Sequence, residues 1–277
     1  MPFIEAIILG LVQGLTEFLP ISSSAHLRIL GELLPSATDP GATFTAITQI
    51  GTEAAVLVYF RKKIARIISR WFQALTGKVP HSDPDARMGW IVIIGTIPIG
   101  VAGFLLQDTI RTFNRNLWLI AIVLIVFGII LGLADHFARR TREFDDVTYP
   151  SGLTMGIAQA LALVPGVSRS GATTTAGRLL GYKRAAAAEY SFLLAVPAVF
   201  ASGLYELVHA LTEPDDGPYG LPETAVATVV AFVVGLAVIA YLMKFLQTRS
   251  FLPFVIYRVA LGAVLLVLLS TGVLQAF

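Results

Sequence analysis

Two stretches decide the fold: Gly10-Leu-Val-Gln13-Gly-Leu-Thr-Glu17-Phe-Leu-Pro20-Ile-Ser22-Ser-Ser-Ala-His26, and Gly156-Ile-Ala-Gln159-Ala-Leu-Ala-Leu-Val-Pro165-Gly-Val-Ser168-Arg-Ser-Gly171. Their openings align, Gly10 to Leu15 with Gly156 to Leu161. One gap later Leu19-Pro20 matches Val164-Pro165, and each proline precedes a serine cluster. Each apolar run, residues 4–20 and 152–165, is short of the ~20 residues a helix needs to cross hydrocarbon. Each therefore reads as a re-entrant helix, entering the membrane and turning back at its proline.

Working outward, the chain has 277 residues, of which 56% are hydrophobic and only 14% charged. A soluble domain is about a quarter charged. The composition excludes a soluble globular enzyme, a disordered chain and a nucleic-acid binder, and points to an all-α polytopic membrane protein, one integral domain over 1–277. No Cys is present, and four His make a zinc cluster improbable. Glu5 stands where a signal peptide would carry a base, so the N-terminus reads as part of the mature fold.

Four stretches of crossing length hold no charge: residues 88–106, 117–134, 224–243 and 259–277, the last extending back past Arg258. Two more carry acids: 43–60 with Glu53, and 185–207 with Glu189 and Glu206. About six full crossings plus two re-entrant segments are expected. They group as pseudo-repeats 1–137 and 150–277, joined by a cytoplasmic connector. Three crossings per half is odd, so the second half enters from the opposite side, giving an inverted-topology repeat. The segment 61–87 holds seven Lys and Arg against Asp83 and Asp85, whereas 209–223 holds four acids and no base. The positive-inside rule puts 61–87 in the cytoplasm. Arg139, Arg140, Arg142, Arg178, Lys183, Arg184 and Arg249 then fall inside as well, and the segment 107–116 with Asp108, Arg111 and Arg115 falls outside.

The discontinuous helices of such folds meet near the midplane and form the site there. Gln13 and Glu17 share a helix face, and the serines after Pro20 can cap the next helix. In the second segment Gly166 and Gly171 permit close backbone approach, and Arg169 beside a helix start makes an anion site. One pocket is expected from Glu17, Ser23, His26 and Arg169, with Glu53 a further candidate. Taken singly, each residue has a plainer reading: a cap, a structural imidazole, a buried Arg169–Glu17 pair. Ionisable groups inside a bilayer are costly, and their concentration in two related segments favours function. Glu189 and Arg258 read as structural or interfacial. Gly128 and Gly132 permit close helix packing, within or between subunits.

These residues resemble the undecaprenyl pyrophosphate phosphatases, the bacitracin-resistance family. Gln13-xxx-Glu17 followed by Phe-Leu-Pro-Ile-Ser-Ser-Ser-Ala-His26 is similar to one signature, and Pro165-Gly-Val-Ser-Arg-Ser-Gly-Ala-Thr173 to the other. Two departures stand out: Gln13 where Glu is the alternative, and Ala25 where Gly is commoner. The resemblance implies removal of one phosphate from a C55 isoprenyl diphosphate lipid in a bacterial plasma membrane, recycling the carrier for wall synthesis. It implies a divalent cation, Mg²⁺ or Ca²⁺, at Glu17 with Gln13. It implies catalysis by Ser23 and His26 with Glu17 and Arg169, and phosphate binding by Ser22, Ser168, Arg169, Ser170, Gly171 and Thr173. Access from the outer face and a homodimer follow from the same resemblance. The expected step is in-line attack by Ser23 with His26 as general base, attack by His26 or by water being the other routes. The alternative class is a transporter of an anionic lipid or solute, which would release no phosphate in detergent.

Overall fold

The computed structural model describes residues 2–35, 39–106, 116–212 and 217–275. Eleven α-helices lie in these residues: α1 (Pro2–Thr16), α2 (Ser23–Leu33), α3 (Gly41–Tyr59), α4 (Arg61–Leu75), α5 (Pro84–Leu105), α6 (Leu117–Phe137), α7 (Tyr149–Ala160), α8 (Arg169–Leu179), α9 (Arg184–Thr212), α10 (Leu221–Thr248) and α11 (Leu252–Ser270). Two 3₁₀ turns, Phe144–Asp146 and Leu161–Leu163, complete them, and no strand occurs among the described residues. The outer connectors expected around Asp108, Arg111 and Arg115, and around Asp215 and Asp216, lie outside the described residues.

Five described helices, α5, α6, α9, α10 and α11, are long and apolar enough to cross a membrane. The chain is thus a multi-pass α-helical membrane protein. The sixth expected crossing, α3, has the same 19 residues as α11 but not its apolarity. The reason is that Thr48, Thr52 and Glu53 turn inward, each no more than 1% exposed. The distribution is inverted relative to a soluble protein: Phe3, Ile4, Ile7 and Leu11 of α1 face outward, while Gln13 is fully buried. In lipid that is the favourable arrangement, because hydrocarbon covers the apolar face and backbone groups are satisfied within helices.

One expectation is corrected. Residues 61–87 are not all connector, because Arg61–Leu75 is helical. Ile64, Ile67, Ile68, Trp71, Phe72 and Leu75 recur at helical spacing opposite Lys62, Arg66 and Arg70. This is the pattern of a helix lying in the membrane interface. The apolar face of α4 borders a groove of about 340 Å³ against α5 and α9.

Each segment expected to re-enter the membrane is a helical hairpin, α1–α2 or α7–α8, and the packing is reciprocal. Hairpin helix α1 packs on α10, the second crossing of the other half, and α7 packs on α5, the second crossing of the first half. Helices α3 and α9 pack together, as do α6 and α11. The alignment of Gly10 with Gly156 has a physical cause. A Cβ on Gly10 would sit 2.4 Å from the Ala227 carbonyl oxygen, and one on Gly156 2.0 Å from that of Gly95. Both contacts require the absence of a side chain. Gly128 and Gly132 pack against Arg258 and Val255 of α11, so their close approach is made within the subunit.

Asp135 gathers the ends of four helices. It accepts from Arg178 Nε (2.9 Å), from Arg184 Nε (2.7 Å) and Nη2 (2.9 Å), and from the Phe251 backbone N–H (3.2 Å). Arg178 is fully buried. It therefore anchors α8 to α6 and is not the solvated loop charge that the orientation count took it to be.

Candidate active site

The two hairpin turns are built alike. Ser22 (φ 72°) and Ser168 (φ 71°) are the only non-glycine residues of positive φ among the described residues. An L-residue there costs roughly 1–2 kcal/mol, and such strain concentrates at functional sites. Both serines cap the helix that follows, Ser22 Oγ accepting from Ala25 N (3.4 Å) and Ser168 Oγ from Gly171 N (3.1 Å). Each bonds the serine two positions on at 3.2 Å, Ser24 or Ser170. The register makes Ser23 and Arg169 equivalent, each the first residue of its helix. The N–H groups of Ser23, Ser24, Arg169 and Ser170 have no acceptor among the described residues. Two helix starts thus offer free N–H groups to an anion.

Crosslinks hold the turns together. Ser170 Oγ lies within reach of the Glu17 (3.3 Å) and Leu19 (3.2 Å) carbonyl oxygens. Arg258, fully buried on α11, donates to the carbonyls of Pro20 (3.1 Å), Gly166 (2.8 Å) and Leu124 (3.2 Å). One guanidinium thus clamps both turns and α6. A Cβ on Gly171 would lie 3.0 Å from Arg258 Nη1. Truncation of Arg258 would orphan the buried Pro20 and Gly166 carbonyls, each worth about 1–3 kcal/mol, and remove the second donor from the Leu124 carbonyl inside α6. Arg258→Met is expected to lower the unfolding midpoint of the detergent-solubilised protein by several degrees and to disorder both turns together, read by thermal denaturation and by hydrogen exchange at the two turns.

The reactive groups meet across these turns. Glu17 Oε2 accepts from Ser23 Oγ at 2.6 Å and from Gln13 Nε2 at 2.7 Å. Glu17 Oε1 accepts from Arg169 Nη2 at 2.6 Å, and the same nitrogen donates to Glu53 Oε1 at 2.6 Å. Ser23 is partly accessible, whereas Gln13, Glu17 and Glu53 are buried. Three buried oxygens or nitrogens here have no partner: Gln13 Oε1, Glu53 Oε2 and Arg169 Nη1. Buried polar atoms left open in this way mark where a ligand's groups belong.

Glu17, Ser23, Arg169 and Glu53 come together as the sequence reading grouped them. His26 does not reach Ser23. Its Nδ1 donates to the Ser22 carbonyl at 2.7 Å, its Nε2 lies 2.7 Å from the Tyr257 hydroxyl, and the two rings stack at 5.5 Å. Both ring nitrogens are engaged, and the proton acceptor in contact with Ser23 is Glu17. The hydroxyls of Ser22, Ser168, Ser170 and Thr173 are also occupied, Thr173 Oγ1 donating to the Arg169 carbonyl at 2.7 Å. What this side of the pocket offers a phosphate is N–H groups and Arg169 Nη1. Sequence reasoning missed Tyr257 beside His26; it read Arg258 as structural or interfacial, as the clamp bears out, but did not place it at the two turns. The signal available was an arginine inside a crossing with no acid at helical spacing.

Among the described residues no three of His, Cys, Asp and Glu gather as a ready-made metal site. The oxygens that fit a hard cation are those of Glu17, Glu53 and Gln13, which would leave the rest of its coordination to water and ligand phosphates.

A hydroxyl, two carboxyl groups and a guanidinium meet at two converging helix starts, a candidate anion site within an integral membrane protein. The chain belongs to the family described as "Bacitracin resistance protein BacA", whose model matches residues 6–264. It is 67% identical over 276 residues to an undecaprenyl-diphosphatase of Clavibacter michiganensis subsp. michiganensis, which it covers completely as that protein covers it. It is 65% identical to one of Micrococcus luteus and 60% identical to one of Paenarthrobacter aurescens, again over all of both chains.

Proposed function

We propose that this protein hydrolyses undecaprenyl diphosphate to undecaprenyl phosphate and inorganic phosphate, returning the carrier lipid for wall-polymer synthesis and lowering sensitivity to bacitracin. The observation that carries the reading is the Ser23–Glu17–Arg169 chain of 2.6 Å contacts. Ser23 Oγ attacks the terminal phosphorus in line and passes its proton to Glu17. The bridging P–O bond breaks, and undecaprenyl phosphate departs with the electron pair. The departing phosphate takes up the proton from Glu17; water then attacks the phosphoserine, Glu17 accepting the water's proton and passing it to Ser23 Oγ as the Ser23 O–P bond breaks, which frees inorganic phosphate. Arg169 Nη1 and the free N–H groups of α2 and α8 stabilise the charge on the transferred phosphoryl oxygens. His26, held by Ser22 and Tyr257, orients the start of α2. A divalent cation, Mg²⁺ or Ca²⁺, would be held by Glu17 and its neighbours and would neutralise diphosphate charge. The isoprenyl tail stays in lipid between helices, the pocket is loaded from the outer face of a bacterial plasma membrane, and a homodimer is compatible with the chain.

The inverted packing is also a transporter's arrangement. Phosphate release from undecaprenyl diphosphate by detergent-purified protein, without any gradient and with or without chelator, separates the two. Release that chelator suppresses is the expected result, and no release at any protein concentration would reject the phosphatase.

A further inference from the structure

We infer that Glu53 is the second carboxylate of the cation position, facing Glu17 across it and joined by the Gln13 amide oxygen; this rests on the phosphatase reading above. Glu53 and Glu17 approach the same Arg169 nitrogen, each at 2.6 Å. Their Oε1 atoms are therefore no more than about twice that distance apart. A cation with Mg–O distances of ~2.1 Å or Ca–O distances of ~2.4 Å bridges oxygens up to ~4.2 or ~4.8 Å apart, so the two carboxylates are near enough to share one with at most a small side-chain adjustment.

Charge supports the same assignment. Two buried carboxyl groups share one guanidinium, so Arg169 can offset the charge of only one of them inside the membrane domain, where unpaired charge is costly. A diphosphate adds more negative charge and draws Arg169 away from both acids. A divalent cation between the carboxylates and the phosphate oxygens offsets both. The other buried or half-buried acids of the crossings have their own protein partners: Asp135 with Arg178 and Arg184, Glu189 with Lys63, Glu206 with Thr43. Glu53 bonds only Arg169, through one oxygen, while its Oε2 and Gln13 Oε1 remain open. Both open atoms are hard oxygens in residues no more than 1% exposed. Gln13 brings an oxygen but no charge, so Glu53 supplies the second negative charge. It also explains why α3 carries an acid where lipid-crossing helices avoid one.

The test is a Mn²⁺ titration of detergent-purified protein, reading free Mn²⁺ by electron paramagnetic resonance. Wild type is expected to bind one Mn²⁺. Glu53→Gln should weaken binding at least tenfold, Glu53→Asp less, and the double variant Gln13→Glu/Glu53→Gln should return to within threefold of wild type by moving the charge. Circular dichroism verifies that each variant is folded, and Glu53→Asp carries the comparison if Glu53→Gln is not. Absence of binding by wild type, unchanged affinity in Glu53→Gln, or no recovery in the double variant would overturn the inference. Phosphate release measured on the same preparations keeps the two readings apart. Wild type that hydrolyses lipid diphosphate while Glu53→Gln binds Mn²⁺ normally sinks only the Glu53 assignment. Glu53-dependent Mn²⁺ binding without hydrolysis sinks only the phosphatase.

Discussion

Arg169→Ala is expected to reduce phosphate release by about 10³- to 10⁵-fold, the range for an arginine that stabilises a transferring phosphoryl group. The guanidinium has two tasks. It holds Glu17 and Glu53 at 2.6 Å each, and it keeps Nη1 open toward the pocket. Removal leaves two buried carboxylates without a counter-charge, so Glu17 also becomes a poorer partner for Ser23. Arg169→Lys should recover little, because an ammonium is a point charge and cannot span two carboxylates and a phosphate. Initial rates on undecaprenyl diphosphate check this. A loss smaller than tenfold would reduce Arg169 to an ordinary ion-pair member.

Ser23→Ala is expected to remove phosphate release by about 10³-fold or more, as loss of an attacking group does. The substitution is structurally mild. Ser22, not Ser23, caps α2, and Ser23 occupies the first helical position, where alanine is accepted. The unfolding midpoint should therefore stay near that of wild type, so that lost turnover reports chemistry and not folding. Rapid acid quench during turnover adds a second readout. Wild type should carry phosphate on the peptide containing Ser23, and Ser23→Ala should carry none.

The fold was legible where one physical requirement dominates. Apolar runs of crossing length marked α5, α6, α9, α10 and α11, and the repeated proline–serine breaks marked both hairpins. Helix α4 escaped because its basic face suppresses average hydropathy, although Ile64, Ile67, Ile68, Trp71 and Phe72 do recur at helical spacing. At the site, residue types and their grouping were readable from cost alone, since charge inside a membrane demands a reason. The bonding was not. Ser23 and His26 are three residues apart, which suits a shared helix face. Yet the Ser22 carbonyl and the Tyr257 hydroxyl take both imidazole nitrogens. Neither partner has a sequence signature, the first being backbone and the second 231 residues away. Arg258 was opaque for the same reason, as its acceptors are three backbone carbonyls.

The central claim is that Glu17, in contact with Ser23, takes the proton of the attacking hydroxyl, and that His26 positions α2. Phosphate release by Glu17→Gln and His26→Gln, measured side by side at saturating lipid diphosphate, tests it most directly. Glu17→Gln keeps the shape of the site but loses the base, together with the charge that pairs with Arg169 and would help hold the cation, so a fall of at least about 10²- to 10⁴-fold is expected. His26→Gln should fall by about tenfold or less. A Glu17→Gln enzyme that keeps most of its activity, with His26→Gln inactive, would contradict the account and return the base to the imidazole.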